Sequence, residues 1–448
     1  MKKKLVNWIL LIIINFIFNL TNLAFALEVS KKSQINTNSS EETDNSQSPW
    51  NQISTTHFWF RLSSSNLNSN FLVGDKSIFA SPKESKSFLI RESFKIQKDN
   101  SQFVFRPSLE IKKEYFIKYP NQELLNREKI ETRLNELYLQ QEFNNEWQGA
   151  IGLQNYQWGP GELMSPSNPL FHFMIDSQDP TFQAHGHNLL RLNYSPKPNL
   201  SFITLIEFMR NEDSEFIAEE EFLPKILLKS EWIGNQPTNY LGLTVGSEQK
   251  SDTFFGAYGN FTFNESYSFY IDAKETAVSD RFQPEFNSKY SIMNMTLHDY
   301  EGKPKFLGLF GFRIELENYD IRWEEIFNEL GFSADDLENL GSAFSPLNPN
   351  VEINKSRFLQ NGRELSSKNY SYISLRIPNL LKWLSSSFTL RTLASHRDQT
   401  RQTTLLWEGN WRDNWTFFSS AIYTFGKKDG ELNLIYKNKF NVGLKYTW

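Results

Sequence analysis

Apolar and polar residues alternate with a period of two along most of this chain. Phe255, Ala257, Gly259, Phe261 and Phe263 fall on one face of an extended segment. Tyr267, Phe269, Ile271 and Ala273 share a face opposed to Ser266, Ser268, Asp272 and Lys274. Leu405, Trp407 and Trp411 oppose Glu408, Asn410 and Arg412, and Trp415, Phe417, Ala421, Tyr423 and Phe425 share another face. Side chains of a strand point alternately to its two faces, so each segment has an apolar side and a polar side. A soluble β-sandwich shows the same dyad. The number of such segments points instead to a transmembrane barrel with apolar-out, polar-in strands.

The pattern predicts strands near 57–63, 87–97, 102–116, 129–143, 147–158, 187–195, 199–209, 223–234 and 238–247. It continues with 252–263, 266–276, 287–297, 305–317, 369–377, 384–395, 402–412, 415–425 and 438–448. The fold expected is all-β: an outer-membrane barrel of about 18 antiparallel strands, with 16 as the next choice because bacterial single-chain barrels use even numbers. Asn144-Asn145-Glu146, Asn235-Gln236-Pro237 and Arg412-Asp413-Asn414 read as turns.

Two long connections stand out, 159–186 and 317–368. In a barrel such loops lie outside or fold into the lumen, and they carry function. In the second, Ile321, Trp323, Ile326, Phe327 and Leu330 recur at helical spacing up to Gly331. Ser333 then reads as an N-cap with Asp336 at the capping-box position, and Leu337 and Leu340 continue the stripe to Gly341. A short helical segment, serving as a lid or a lumen plug, is expected there.

The ends of the chain agree with a barrel. Phe440, Val442, Leu444, Tyr446 and Trp448 alternate with Asn441, Gly443, Lys445 and Thr447. The motif Gly443, Tyr446, Trp448 resembles the C-terminal signal by which bacterial outer-membrane barrels are recognised, which implies the barrel-assembly machinery as a partner. At the other end, Lys2, Lys3 and Lys4 precede an apolar run broken by Asn7, Asn15 and Asn19, then Ala24-Phe25-Ala26. This predicts a signal peptide over 1–26, cleaved after Ala26. Residues 27–56, rich in Ser, Asn, Thr and Glu, are expected to form a flexible tail ahead of the barrel at 57–448.

Composition narrows the reading. The chain has no Cys, which excludes lipid anchoring, disulfides and thiolate metal sites. Its 39 Phe, 17 Tyr and 12 Trp supply lipid-facing rings and interface girdles. The mean hydropathy is negative, as expected when only alternate strand residues meet lipid. Net charge is −5, so nucleic acid is not a partner. Outer-membrane lipids and lipopolysaccharide are the expected surroundings.

Residues 152–171 read G-L-Q-N-Y-Q-W-G-P-G-E-L-M-S-P-S-N-P-L-F. Gly159, Pro160 and Gly161 fix a tight turn after Trp158. Pro166 and Pro169 keep the loop extended, and Ser165 and Asn168 offer hydrogen bonds to hydroxyls or water. Ser345-Pro346-Leu347-Asn348-Pro349 is a partial echo. The W-G-P-G turn with its Ser/Asn-rich loop is similar to the capsule-assembly Wzi family of outer-membrane barrels. A weaker likeness holds to other large outer-membrane barrels with a W-G turn and an N-P loop. The Wzi resemblance implies a narrowed or closed lumen and a role in binding, assembling or anchoring capsular polysaccharide at the cell surface. The alternative is a porin or exporter that passes small polar solutes.

Enzyme chemistry has little to start from, and no cofactor is expected. There is no G-x-S-x-G elbow. His185 and His187, with Asp176 and Asp179, are conceivable metal ligands but lack zinc-motif spacing, so no metal site is assigned. Asp213, Glu215 and Glu219-Glu220-Glu221 form an acidic loop that reads as solvated. Lys225, Lys229, Glu231, Arg376, Arg391, Glu408 and Arg412 are candidate lumen charges, either selective for solutes or simply paired with one another.

Overall fold

The computed structural model describes residues 51–67, 82–118, 123–171, 186–209, 225–248, 252–276, 278–287, 292–299 and 304–332. It further describes 367–381, 385–427, 431–433, 436–448 and scattered positions between 336 and 365. The chain divides into two compact units, Met1–Pro49 and Trp50–Trp448. The first unit, with the expected signal peptide, lies outside the described residues.

The second unit is built of strands. They begin with β1 (Asn51–Leu67), β2 (Glu84–Lys98), β3 (Ser101–Lys118), β4 (Glu123–Glu142) and β5 (Trp147–Gln154). Next come β6 (His187–Lys197), β7 (Leu200–Met209), β8 (Lys225–Ile233), β9 (Tyr240–Glu248) and β10 (Asp252–Asn264). Then follow β11 (Tyr267–Thr276), β12 (Val278–Asn287), β13 (Ile292–Asp299), β14 (Lys305–Leu316) and β15 (Tyr319–Asn328). The last are β16 (Asn369–Pro378), β17 (Ser386–Ser395), β18 (Arg401–Trp411), β19 (Trp415–Phe425) and β20 (Tyr436–Thr447).

Eighteen of these form one antiparallel sheet in chain order, and β1 pairs with β20 to close it. The fold is therefore the outer-membrane type of β-barrel, in which closure leaves no unpaired edge. β12 and β13 pair with each other as a separate hairpin, while β11 pairs with β14 across it.

The count of eighteen agrees with the sequence, but two strands do not. Tyr319–Asn328, expected to be helical, is wall strand β15. Ile321, Trp323 and Phe327 are exposed on its outer face, while Glu324, Ile326 and Asn328 are buried within. Ile326 mimicked a helical stripe because it is an apolar residue on the inward side. The second long connection therefore shrinks to 329–368. Asp336, Ser342, Ala343, Ile353 and Asn354 are helical in it, and the rest of 333–341 lies outside the described residues. The segment expected as a wall strand near 287–297 belongs instead to the β12–β13 hairpin.

Alternation sorts the side chains as membrane physics requires. Leu243 is 56% exposed on the outside and its neighbour Thr244 4% on the inside. Aromatic pairs such as Trp147–Tyr194 and Trp415–Tyr446 lie beside the short-turn end, with ring centroids 4.5 and 4.7 Å apart. That is where an interface girdle belongs. On the inner wall, three rings lie over a directly paired glycine: Tyr258 over Gly242, Tyr270 over Gly311 and Phe418 over Gly443. A Cβ at any of the three would come within 2.1 to 2.2 Å of the ring.

Candidate functional site

The chain leaves the wall at the end of β5 and turns into the lumen. Gly159 makes the turn with φ of 92°, in the left-handed region that L side chains avoid. A Cβ there would meet Ser165 Oγ at 2.0 Å and Asp272 Oδ2 at 2.4 Å. Pro160 and Gly161 follow, half-buried, and the chain then runs along the inner wall to Leu170, which is fully buried.

The loop covers inward apolar residues that water would otherwise meet. Trp158 and Leu170 pack with Leu189, Leu205, Leu227 and Phe254 on β6, β7, β8 and β10. Leu163 and Met164 pack with Tyr270, Leu309, Ile326 and Tyr372 on β11, β14, β15 and β16. This apolar contact is the main favourable term holding the loop.

Two carboxylates fix its register. Asp272 and Glu324 are fully buried in the wall. The Ser165 hydroxyl donates to Asp272 Oδ2 at 2.5 Å, and the Ser167 N–H donates to Oδ1 at 2.7 Å. The Glu162 and Leu163 N–H groups donate to the two Glu324 oxygens at 2.7 and 3.3 Å. Tyr270 adds its hydroxyl to Glu324 at 2.8 Å. The Thr244 hydroxyl donates to the Ser167 carbonyl at 3.2 Å. These bonds satisfy backbone groups of an irregular segment at membrane depth, which is tolerated only inside a protein or a wet cavity.

Of the other loop residues singled out in the sequence, Asn168 caps the local turn. Its amide donates to the Trp158 carbonyl at 3.4 Å, and its Oδ1 accepts the Leu170 N–H at 3.0 Å. Pro169 is half-buried beside it. His187 meets Glu207 Oε1 at 2.8 Å and the Leu170 carbonyl at 3.2 Å, so it is committed to holding the loop's far end. His185, Asp176, Asp179 and the acidic loop lie outside the described residues. Asn348 of the echo donates to the Met293 carbonyl at 2.6 Å, on the separate hairpin. Tyr446 and Gly443 sit in the closing strand β20, and Trp448 exchanges backbone hydrogen bonds with Thr56.

Lys229, expected in the lumen, lies 5.6 to 5.7 Å from the ring centroids of Tyr156, Trp158 and Tyr258. It also pairs with Glu231 at 3.1 Å. A caged ammonium ties Tyr156 and Trp158 to the wall. Lys229→Met is expected to lower barrel stability by about 2 kcal/mol, read from urea unfolding in detergent. An unchanged midpoint would mean that the cage does not hold the loop.

The remaining wall carries many polar groups beside an apolar cluster of Trp59, Leu89 and Phe418. No hydrogen bond or ion pair of 155–171 reaches β1 to β3 or β18 to β20 among the described residues; Asn155 contacts Glu136 of β4 and Glu162 contacts Arg391 of β17. Lys112 lies 3.0 Å from Glu110 and 3.7 Å from Glu131, which also pairs with Arg133 at 2.6 Å. Arg91 and Lys445 lie 5.6 and 5.1 Å from the ring centroid of Trp59. Asp272 was legible only as a member of a polar face, Tyr270 was not singled out, and Glu324 was hidden by the helical reading of its strand. Among the described residues no cluster of His, Asp and Glu could hold a metal ion.

No protein-family model matches the chain, and no curated protein matches it. Solved structures do. OccK5 (OpdH) of Pseudomonas aeruginosa is 10% identical with a TM-score of 0.50, over 88% of this chain and 97% of that one. OccAB1 of Acinetobacter baumannii is 10% identical with a TM-score of 0.52, over 91% of this chain and 98% of that one. At this identity the likeness is one of fold. Both are porins of the Occ family, which corrects the Wzi-type resemblance and the capsular-polysaccharide reading it implied. The W-G-P-G turn misled because its chemistry serves any strand that must reverse sharply into a lumen.

Proposed function

We propose that this protein is a diffusion channel for small polar solutes across a bacterial outer membrane, narrowed by the loop 155–171. The observation that carries the reading is the placement of that loop. It lies inside a closed barrel, pinned along one side of the wall, and among the described residues it makes no hydrogen bond or ion pair to β1 to β3 or β18 to β20, where charged groups such as Lys112 and Glu110 lie. A path bounded by such groups suits hydrated solutes. The porin neighbours support it at the level of fold. Trp158, Gly159, Pro160, Gly161, Ser165, Asn168 and Pro169 are then parts of a constriction rather than of a surface receptor.

In this reading the short turns, such as 99–100, 198–199, 265–266 and 317–318, face the periplasm and the long connections face outward. Residues 1–26 act as a cleaved export signal, and the last strand is the segment read by the assembly machinery. The purified barrel in a planar bilayer is expected to give discrete, stable conductance steps. A folded, heat-modifiable barrel that inserts and stays silent would refute the channel.

A further inference from the structure

We infer that the lumen holds a binding niche for a neutral, polyhydroxylated solute of monosaccharide size, on the short-turn side of the loop. The inference rests on the channel reading above. A cavity of ≈ 200 Å³ opens there beneath Pro160, against the inner ends of β9, β10, β11, β14 and β15. It falls below the range of about 300–1,000 Å³ typical of pockets for drug-sized ligands, which leaves room for one sugar ring.

Three of the four charged side chains of the niche are held in ion pairs, and the fourth, Glu265, stands exposed in the 265–266 turn at its rim. Its ionic lining is two arginines, Arg313 and Arg322, and two glutamates, Glu265 and Glu315. Arg313 grips Asp320 with two parallel bonds at 2.9 and 2.8 Å and meets Glu315 at 2.9 Å. Arg322 lies between Glu162 at 3.6 Å and Asp320 at 3.8 Å. An ion arriving at Arg313, Arg322 or Glu315 would have to displace an existing partner and leave it uncompensated.

The rest of the lining is hydroxyl and amide. Tyr240, Asn260, Thr262 and Ser268 face the cavity. The Asn260 amide is turned by its donation to the Thr238 carbonyl at 2.6 Å. Hydroxyls both donate and accept, so they match a solute whose polar groups are themselves hydroxyls. A solute that has passed the constriction meets this niche before the short-turn exit.

Glucose, gluconate and glucosamine test the inference, because they share a size and differ in charge. Each is added to the wild-type channel in a planar bilayer, and the dwell time of current interruptions is measured. Glucose is expected to give the longest interruptions. Asn260→Leu and Ser268→Leu are each expected to shorten the glucose dwell time by about fivefold, the effect of losing one hydrogen bond. Ser268→Ala, which deletes only the hydroxyl, carries the same expectation if the larger side chain prevents folding, as judged by heat-modified gel mobility. A conducting wild type on which gluconate or glucosamine dwells as long as glucose overturns the inference and leaves the channel standing. So do folded variants with unchanged glucose dwell times. A silent wild type overturns the channel reading and the niche with it.

Discussion

The double variant Asp272→Ala/Glu324→Ala is expected to conduct more current than the wild type, in steps that flicker. Its two carboxylates receive four hydrogen bonds from the loop, from Ser165 Oγ and the N–H groups of Ser167, Glu162 and Leu163. Hydrogen bonds to charged groups contribute about 1.5–3 kcal/mol each. Burying the carboxylates opposes this, so the net loss of loop docking is about 2–4 kcal/mol across the pair. The apolar contacts of Trp158, Leu163 and Leu170 remain, so the loop loosens rather than leaves. Freed N–H groups at this depth would draw water into the gap. Asp272→Asn/Glu324→Gln keeps one acceptor per side chain and should change conductance less. If the alanine pair folds and conducts as the wild type does, the loop is not held by these residues.

Gly443→Val is expected to abolish the folded barrel. Gly443 lies in β20, paired on one side with Phe418 and on the other with Arg61. A Cβ there would stand 2.2 Å from the Phe418 ring and 2.5 Å from the Phe60 carbonyl oxygen. Overpacking of this kind costs about 1–3 kcal/mol in an ordinary core. At the closing seam the consequence is larger, because a strand that cannot pair leaves two open edges in lipid. The gel band of the unheated, folded form is the measurement, and its persistence at wild-type intensity would contradict the argument. The sequence pattern marks the same glycine as part of a recognition signal. Packing is separable from recognition: if the ring matters, Gly443→Ala should fold better when combined with Phe418→Ala.

Much of the architecture was legible because the barrel is written locally. A lipid-facing residue at one position requires a lumen-facing one at the next, and this gave the class, the strand number and where along the chain the first long connection falls. The rule failed where a neighbour other than lipid or water set the residue type. Ile326 is apolar and points inward because it packs against Leu163 and Met164 of the loop. That single position turned the dyad of β15 into an apparent helix. The segment at 292–299 alternates as a wall strand does, and period two cannot say which sheet a strand joins.

The sequence by itself therefore determined a closed barrel with a rigid Gly-Pro-Gly turn after β5. It also placed the charges on the polar faces of the strands. Only the tertiary structure decided that the loop turns inward and that Asp272 and Glu324 hold it. Only it showed which charges cancel one another and which face the passage. The physical reason is separation along the chain. Alternation couples each residue to the next, whereas the Ser167–Asp272 and Glu162–Glu324 bonds join positions 105 and 162 residues apart. Such pairs meet only after the wall has closed and brought β11 and β15 to the lumen through which the loop runs.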